Sequence, residues 1–151
     1  MLIFNNNHIA VQKIISQDSK MKILIDYLGD YTHELDKDYF SSIIRSIVGQ
    51  QISNKARDTI WNKIRNIGIP ITAASMQNVK FETLRSCGLS GRKIEYIKTF
   101  SQTVATKNII LENFLYLENK DIINILSSCR GIGEWTAEMF LIFSLGRLDV
   151  F

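Results

Sequence analysis

One proline, two cysteines and two histidines are all that this 151-residue chain offers for backbone kinks, disulfides or metal ligation. Cys87 and Cys129 lie far apart, and no metal-ligand spacing links them to His8 or His33, so free thiols and no metal site are expected. Long apolar runs are missing too: the longest, residues 139–143, falls far short of the roughly 18 residues a membrane helix requires, so no membrane partner is expected. Asn5, Asn6 and Asn7 interrupt the N-terminus before a hydrophobic segment can build, which argues against a secretory signal and for the cytoplasm. Neither sign of charge dominates. Lys and Arg total 18 against 15 Asp and Glu, and the resulting +3 permits a polyanionic partner without requiring one. The apolar fraction of 46% excludes disorder and predicts one folded domain.

Apolar residues recur at helical spacing along most of the chain, which predicts an all-α, compact multi-helix bundle. Asp18 or Ser19 caps a helix with Met21, Leu24, Ile25 and Leu28 on one face and Gly29 as its stop. Asp38 begins the next, whose stripe of Phe40, Ile43, Ile44, Ile47 and Val48 continues to Gln51. Ser53 caps a helix carrying Ala56, Ile60, Ile64 and Ile67, closed by Gly68. A smaller helix is expected over residues 78–86. Ser90 then caps an amphipathic helix with Ile94, Ile97, Phe100 or Ser101, and Val104 on its inward face and Arg92, Lys93, Lys98 and Lys107 among its polar positions. Residues 108–119 form a loop with one helical turn, and 121–128 a helix. A last helix over residues 135–145 is apolar nearly all round and is expected at the centre of the bundle.

Between the last two helices stands Gly131-Ile132-Gly133, a turn with a use beyond turning. Glycine accepts positive φ and lets a foreign backbone come close, and the following helix opens with unpartnered N–H groups at the positive end of its dipole. An anionic phosphate fits there, with Arg130 adding a cation and Ile132 anchoring the turn in the core. Taken alone, the same glycines serve equally well as a plain helix–helix connection.

Three segments in order resemble one family. Leu126-Ser-Ser-Cys-Arg-Gly-Ile-Gly-Glu-Trp-Thr-Ala137 is similar to the hairpin of the helix-hairpin-helix (HhH-GPD) DNA glycosylase superfamily, in particular the alkylbase or 3-methyladenine DNA glycosylase II type. Ile47-Val-Gly-Gln-Gln-Ile-Ser53 resembles the family's Gly-Gln-Gln-Ile-Ser element, and Gly88-Leu-Ser-Gly-Arg-Lys-Ile-Glu-Tyr-Ile97 its Gly-Leu-Ser-x-x-Lys-x-x-Tyr-Ile element. Arg130 departs from the family's usual Pro. The resemblance runs from about Phe40 to the last residue. It implies a glycosylase core over residues 37–151, behind an N-terminal helical segment over 1–36, in a domain incomplete at its C-terminus.

The function implied is base-excision repair: hydrolysis of the N-glycosidic bond of alkylated purines such as 3-methyladenine, after the nucleotide is turned out of double-stranded DNA. By position, Gln51 enters the duplex and Gln50 stands beside the base pocket. Gln51 also continues an apolar stripe where a polar side chain is out of place, unless the helix already ends near Gly49. Arg130, Gly131, Ile132, Gly133 and Thr136 form the phosphate-binding hairpin, and Ser53 and Lys93 make further DNA contacts. Where lyase members carry an attacking Lys, this chain has Trp135, whose indole cannot form a Schiff base, so the monofunctional branch is implied. Trp135 is read either as a stacking surface for a cationic base or as a core aromatic. Met139, one turn further, lines the same pocket or packs the core. The resemblance implies no cofactor beyond a monovalent cation that the hairpin could hold.

Catalysis calls for a carboxylate near the anomeric carbon, where oxocarbenium-like charge develops. The family's spacing puts that Asp about four residues beyond Phe151. Asp149 matches an earlier family position and is the fallback only. The chain as given is therefore expected to lack its catalytic acid, and its apolar end at Val150 and Phe151 to be exposed, with association through that end; a complete protein is expected to be monomeric. A catalytically inactive helix-hairpin-helix DNA-binding module remains an alternative, as does a small helical interaction domain that leaves the three motifs unexplained.

Overall fold

The computed structural model describes residues 2–150, which divide into two units at Leu35 and Asp36. In the first unit, strand β1 (Leu2–Phe4) pairs antiparallel with β2 (Tyr31–His33), Leu2 opposite His33. Between them run helices α1 (Ile9–Gln17) and α2 (Ser19–Leu28). Asp18 serves both helices: its N–H closes α1 on the Ile14 carbonyl at 3.0 Å, and its carboxylate caps α2 at the Lys20 and Met21 amides. Gly29, with φ of 69°, ends α2. The strands and α1 add to the expected single helix, because three-residue strands are too short to show a period. No residue of α2 is buried; Met21 and Ile25 are half-covered, and Leu24 and Leu28 stand exposed, so the expected apolar face of this helix is only half used.

The second unit holds the core. Asp38 accepts from the Ser41 amide at 3.0 Å and starts α3 (Tyr39–Gly49), whose Phe40, Ile43, Ile44, Ile47 and Val48 are all buried. That stripe stops where the helix stops: Gln51 lies beyond it, exposed, with a left-handed φ of 58°. The continuation of the stripe to Gln51 is thus corrected. Ser53 caps α4 (Asn54–Arg65), which buries Trp61 and Ile64. Residues 78–86, expected as one helix, belong to two: α5 (Ala73–Asn78), opened by a Thr72–Ser75 capping box, and α6 (Phe81–Ser86). Val79, extended at φ −58° and ψ 134°, breaks the run because its side chain turns into the core.

Ser90 caps α7 (Gly91–Ala105), which buries Ile94, Ile97, Phe100 and Ser101. Phe100 stacks on Phe40 of α3 with ring centroids 5.9 Å apart. A 3₁₀ turn (Leu111–Tyr116) leads to α8 (Asn119–Ser127), and α9 (Glu134–Phe140) follows the hairpin.

Helix α9 runs on as a π turn (Leu141–Leu145) that ends at Gly146 with φ of 72°. It is not enclosed on every side. Thr136, Ala137, Phe140, Leu141 and Ser144 are buried, and the Ser144 hydroxyl pairs with that of Ser42 at 2.8 Å, while Trp135 and Phe143 face outward. Val150 is half-buried against the core rather than standing free, and Phe151 lies outside the described residues. Among the described residues no helix is long and apolar enough to cross a membrane, and no group of three His, Cys, Asp or Glu could hold a metal.

Ile47 is 0% exposed and Ile23 72% exposed. Truncating the first to alanine should cost roughly 2–5 kcal/mol by equilibrium denaturation, and truncating the second less than about 0.5 kcal/mol.

Candidate nucleic-acid interface

Three segments distant in sequence meet at one open groove of about 860 Å³. The end of α3 supplies Gln50 and Gln51; the start of α7 supplies Ser90, Arg92, Lys93 and Tyr96; the hairpin supplies Gly131, Ile132, Gly133 and Trp135. The lining is neutral or basic. Among the described residues no carboxylate lines it.

The hairpin is held by a close approach. Gly131 has φ of 90°, and a Cβ built on it would lie 2.1 Å from Cδ2 of the Tyr96 ring, so only glycine fits. Its carbonyl accepts Gln50 Nε2 at 2.8 Å. Ile132 is buried, as its place between two glycines suggests, and anchors the turn. Gly133 differs: φ is −92°, and nothing lies within 4 Å of the point where a Cβ would stand, so the fold itself does not demand glycine there. The open space is on the outer side of the turn, where α9 begins. Ala137 is the first α9 amide with an acceptor, the Gly133 carbonyl at 3.1 Å, and no side chain caps the earlier ones. The N–H groups of Glu134, Trp135 and Thr136 therefore open the helix without intrahelical partners.

The expected residues fall into two sets. Gln50, Gln51, Lys93, Gly131, Ile132, Gly133 and Trp135 line the groove together. Trp135 is 69% exposed, a large indole left in water at the groove's edge, which removes the core-aromatic reading. Five others stand apart. Arg130 is exposed beside the turn, its guanidinium 5.9 Å over the Tyr96 ring. Thr136 is 6% exposed and does not line the groove. Met139 is half-buried and does not line the groove. The Ser53 hydroxyl accepts from the Ala56 amide at 3.3 Å as the α4 cap. Asp149 is exposed, accepts from Asn119 Nδ2 at 2.9 Å, and does not line the groove.

Lys93 lines the groove with its ammonium already engaged. Its ammonium donates to the Val48 and Gln50 carbonyls, each at 2.7 Å, and burial pulls its pKa below the ordinary lysine value. Ser90, Arg92 and Tyr96 were absent from the expected site. Arg92 stands among the polar positions of α7, and all three fall in the same Gly88–Ile97 motif as Lys93, which is the signal that could have found them. Behind the α3 end, Arg57 lies over Gly49 and shares Asp58 with Arg45, and these hydrogen bonds hold the Asp58 carboxyl below its usual range.

A family model described as HhH-GPD superfamily base excision DNA repair protein matches residues 44–151. The chain belongs to that superfamily. This HhH-GPD protein is 34% identical over 140 residues to DNA-3-methyladenine glycosylase 1 of Schizosaccharomyces pombe, covering 88% of this chain and 61% of that protein. It therefore spans less than two thirds of that relative. It is 30% identical over 149 residues to the alkylbase DNA glycosidase-like protein mag2 of the same yeast, covering 93% of this chain and 70% of that one. A solved DNA-3-methyladenine glycosidase from Bacillus halodurans superposes with a TM-score of 0.87 at 35% identity, over 100% of this chain and 70% of that one. The S. pombe glycosylase Mag1, solved in complex with abasic DNA, gives 0.86 at 32% identity, over 94% and 72%. The all-α helix-hairpin-helix fold and the family implied by the three motifs are thereby established.

The two hairpin glycines should separate in a thermal unfolding series. Gly131→Ala must displace Tyr96 and adopt a strained φ, at a cost of about 2–4 kcal/mol, whereas Gly133→Ala should stay within about 1 kcal/mol of the unmodified chain.

Proposed function

We propose that this chain carries the DNA-gripping and base-facing part of a monofunctional alkylbase DNA glycosylase, acting on alkylated purines such as 3-methyladenine in double-stranded DNA. The observation that carries this reading is the meeting of Gln51, Gln50 and Trp135 on one acid-free groove beside the hairpin. The DNA-bound relative Mag1 supports it.

Turning a nucleotide out of the stack costs a few kcal/mol, least at a damaged base. Gln51 is exposed on a left-handed turn that sets it off from α3, a place from which it fills the space the base leaves. Holding a non-glycine residue in that conformation costs about 1 kcal/mol, a cost that sites built around one projecting side chain often carry. Trp135 offers a π-face worth about 1–3 kcal/mol to a stacked base, and more to a cationic one. With an indole instead of an amine at this position, the chain has no Schiff-base route there. The uncapped amides that open α9, with Arg130 beside them, receive a phosphate.

Hydrolysis also needs a carboxylate at the sugar. The absence of one among the described lining residues favours a second reading, a DNA-binding module that does not cleave. An excision assay on methylated duplex DNA, run beside binding to an abasic-site duplex, decides between them. Release of methylated purine, reduced at least about 10-fold by Trp135→Ala and by Gln51→Gly, supports the glycosylase. Selective binding without release supports the module, and no selective binding at all overturns both. Gln51→Gly is the cleaner of the two variants, because glycine accepts φ of 58° and the turn survives the loss of the side chain.

A further inference from the structure

The contacts around Lys93 form a closed circuit. Its ammonium bonds the Val48 carbonyl inside the last turn of α3 and the Gln50 carbonyl just beyond it. A cation at this place meets the negative end of the helix, and two short charge-assisted bonds hold it more firmly than neutral ones would. Gln50 in turn reaches the Gly131 carbonyl through Nε2, Gly131 lies against the Tyr96 ring, and Tyr96 sits one helical turn from Lys93 on α7.

The Gln50 carbonyl belongs to the peptide plane that leads into Gln51. Fixing that plane fixes the rotation at which Gln51 departs. Little else does so: the local backbone bond, from the Ile52 amide to the Gly49 carbonyl, is long at 3.4 Å. We propose that Lys93 is a positioning residue of this interface: it clamps the Gln50–Gln51 peptide so that Gln51 projects and Gln50 stays on the hairpin, and it makes no phosphate contact itself. The inference rests on the reading of the groove as a DNA interface. The partial burial of the ammonium, already engaged by two carbonyls, agrees with a cation withdrawn from the surface.

Lys93→Met and Lys93→Arg in the full chain test it in two stages. Without DNA, the Gln50 side-chain amide and Gly131 backbone amide are followed by NMR. Lys93→Met should shift both and speed solvent exchange of the Gln50 amide by about 10-fold. With DNA, affinity for an abasic-site duplex and for the intact duplex is measured across a salt series. The preference for the abasic site should fall about 10-fold in Lys93→Met, with an unchanged slope of log affinity against log salt. Lys93→Arg, which keeps the charge but changes the shape of the donor, should lose preference as well, and it carries the test if the Met variant does not fold. A slope shallower by about 0.9 in Lys93→Met, an Arg variant that behaves as the unmodified chain, or undisturbed Gln50 signals would each overturn the proposal. If the unmodified chain shows no preference for abasic DNA, the functional reading fails and the amide signals alone still decide the clamp.

Discussion

The groove depends on one van der Waals contact, the bare Cα of Gly131 against the face of Tyr96. Because nothing stands between backbone and ring, the hairpin can drop close enough to α7 for Ile132 to enter the core and for the Gly131 carbonyl to receive Gln50. The second glycine of the turn has the opposite relation to its surroundings. Gly133 faces open space, so the room saved there remains for something outside the chain. The same dipeptide spacing thus does two jobs, one turned inward and one outward.

Polar atoms around that contact are used economically. Lys93 takes up carbonyls that α3 leaves free at its end, Gln50 takes up one from the hairpin, and the start of α9 is left uncapped. A helix C-terminus is neutralised from within, while a helix N-terminus beside it is kept available. The resulting surface is neutral to basic and carries an exposed indole, a combination suited to nucleic acid, where phosphate and base face offer complementary chemistry. The family assignment and the fold stand independently of that surface chemistry, since they rest on residues 44–151 as a whole.

Much of the fold was legible because it is local. Asp38, Ser53 and Ser90 each cap the helix that follows them, and the α3 stripe is buried along its full length. Elements without a local signature were missed: three-residue strands show no period, and the break at Val79 arises from a side chain drawn into the core. At the groove, the family motifs pointed to Gln50, Gln51, Trp135 and the glycines, and these do come together. Periodicity carried the stripe on to Gln51, but α3 ends at Gly49 and Gln51 takes a left-handed φ; the carbonyls at that end are met by Lys93, more than forty residues later in the chain. Lys93 itself looked like a surface cation for the same reason: its partners are invisible at helical spacing. Thr136 follows the hairpin but is buried, and Met139, one turn beyond Trp135 on the same side of α9, is half-buried and outside the groove lining, so neither place could be read from residue order.

The two tryptophans sit in contrasting surroundings. Trp61 is 9% exposed within the core, and Trp135 is 69% exposed on the groove. An indole in water and one in a dry interior fluoresce at different wavelengths, and only the outer one can be reached by a base or a dissolved quencher. The chain therefore carries its own pair of optical probes: one reports whether the helices remain packed, and the other whether the groove is filled.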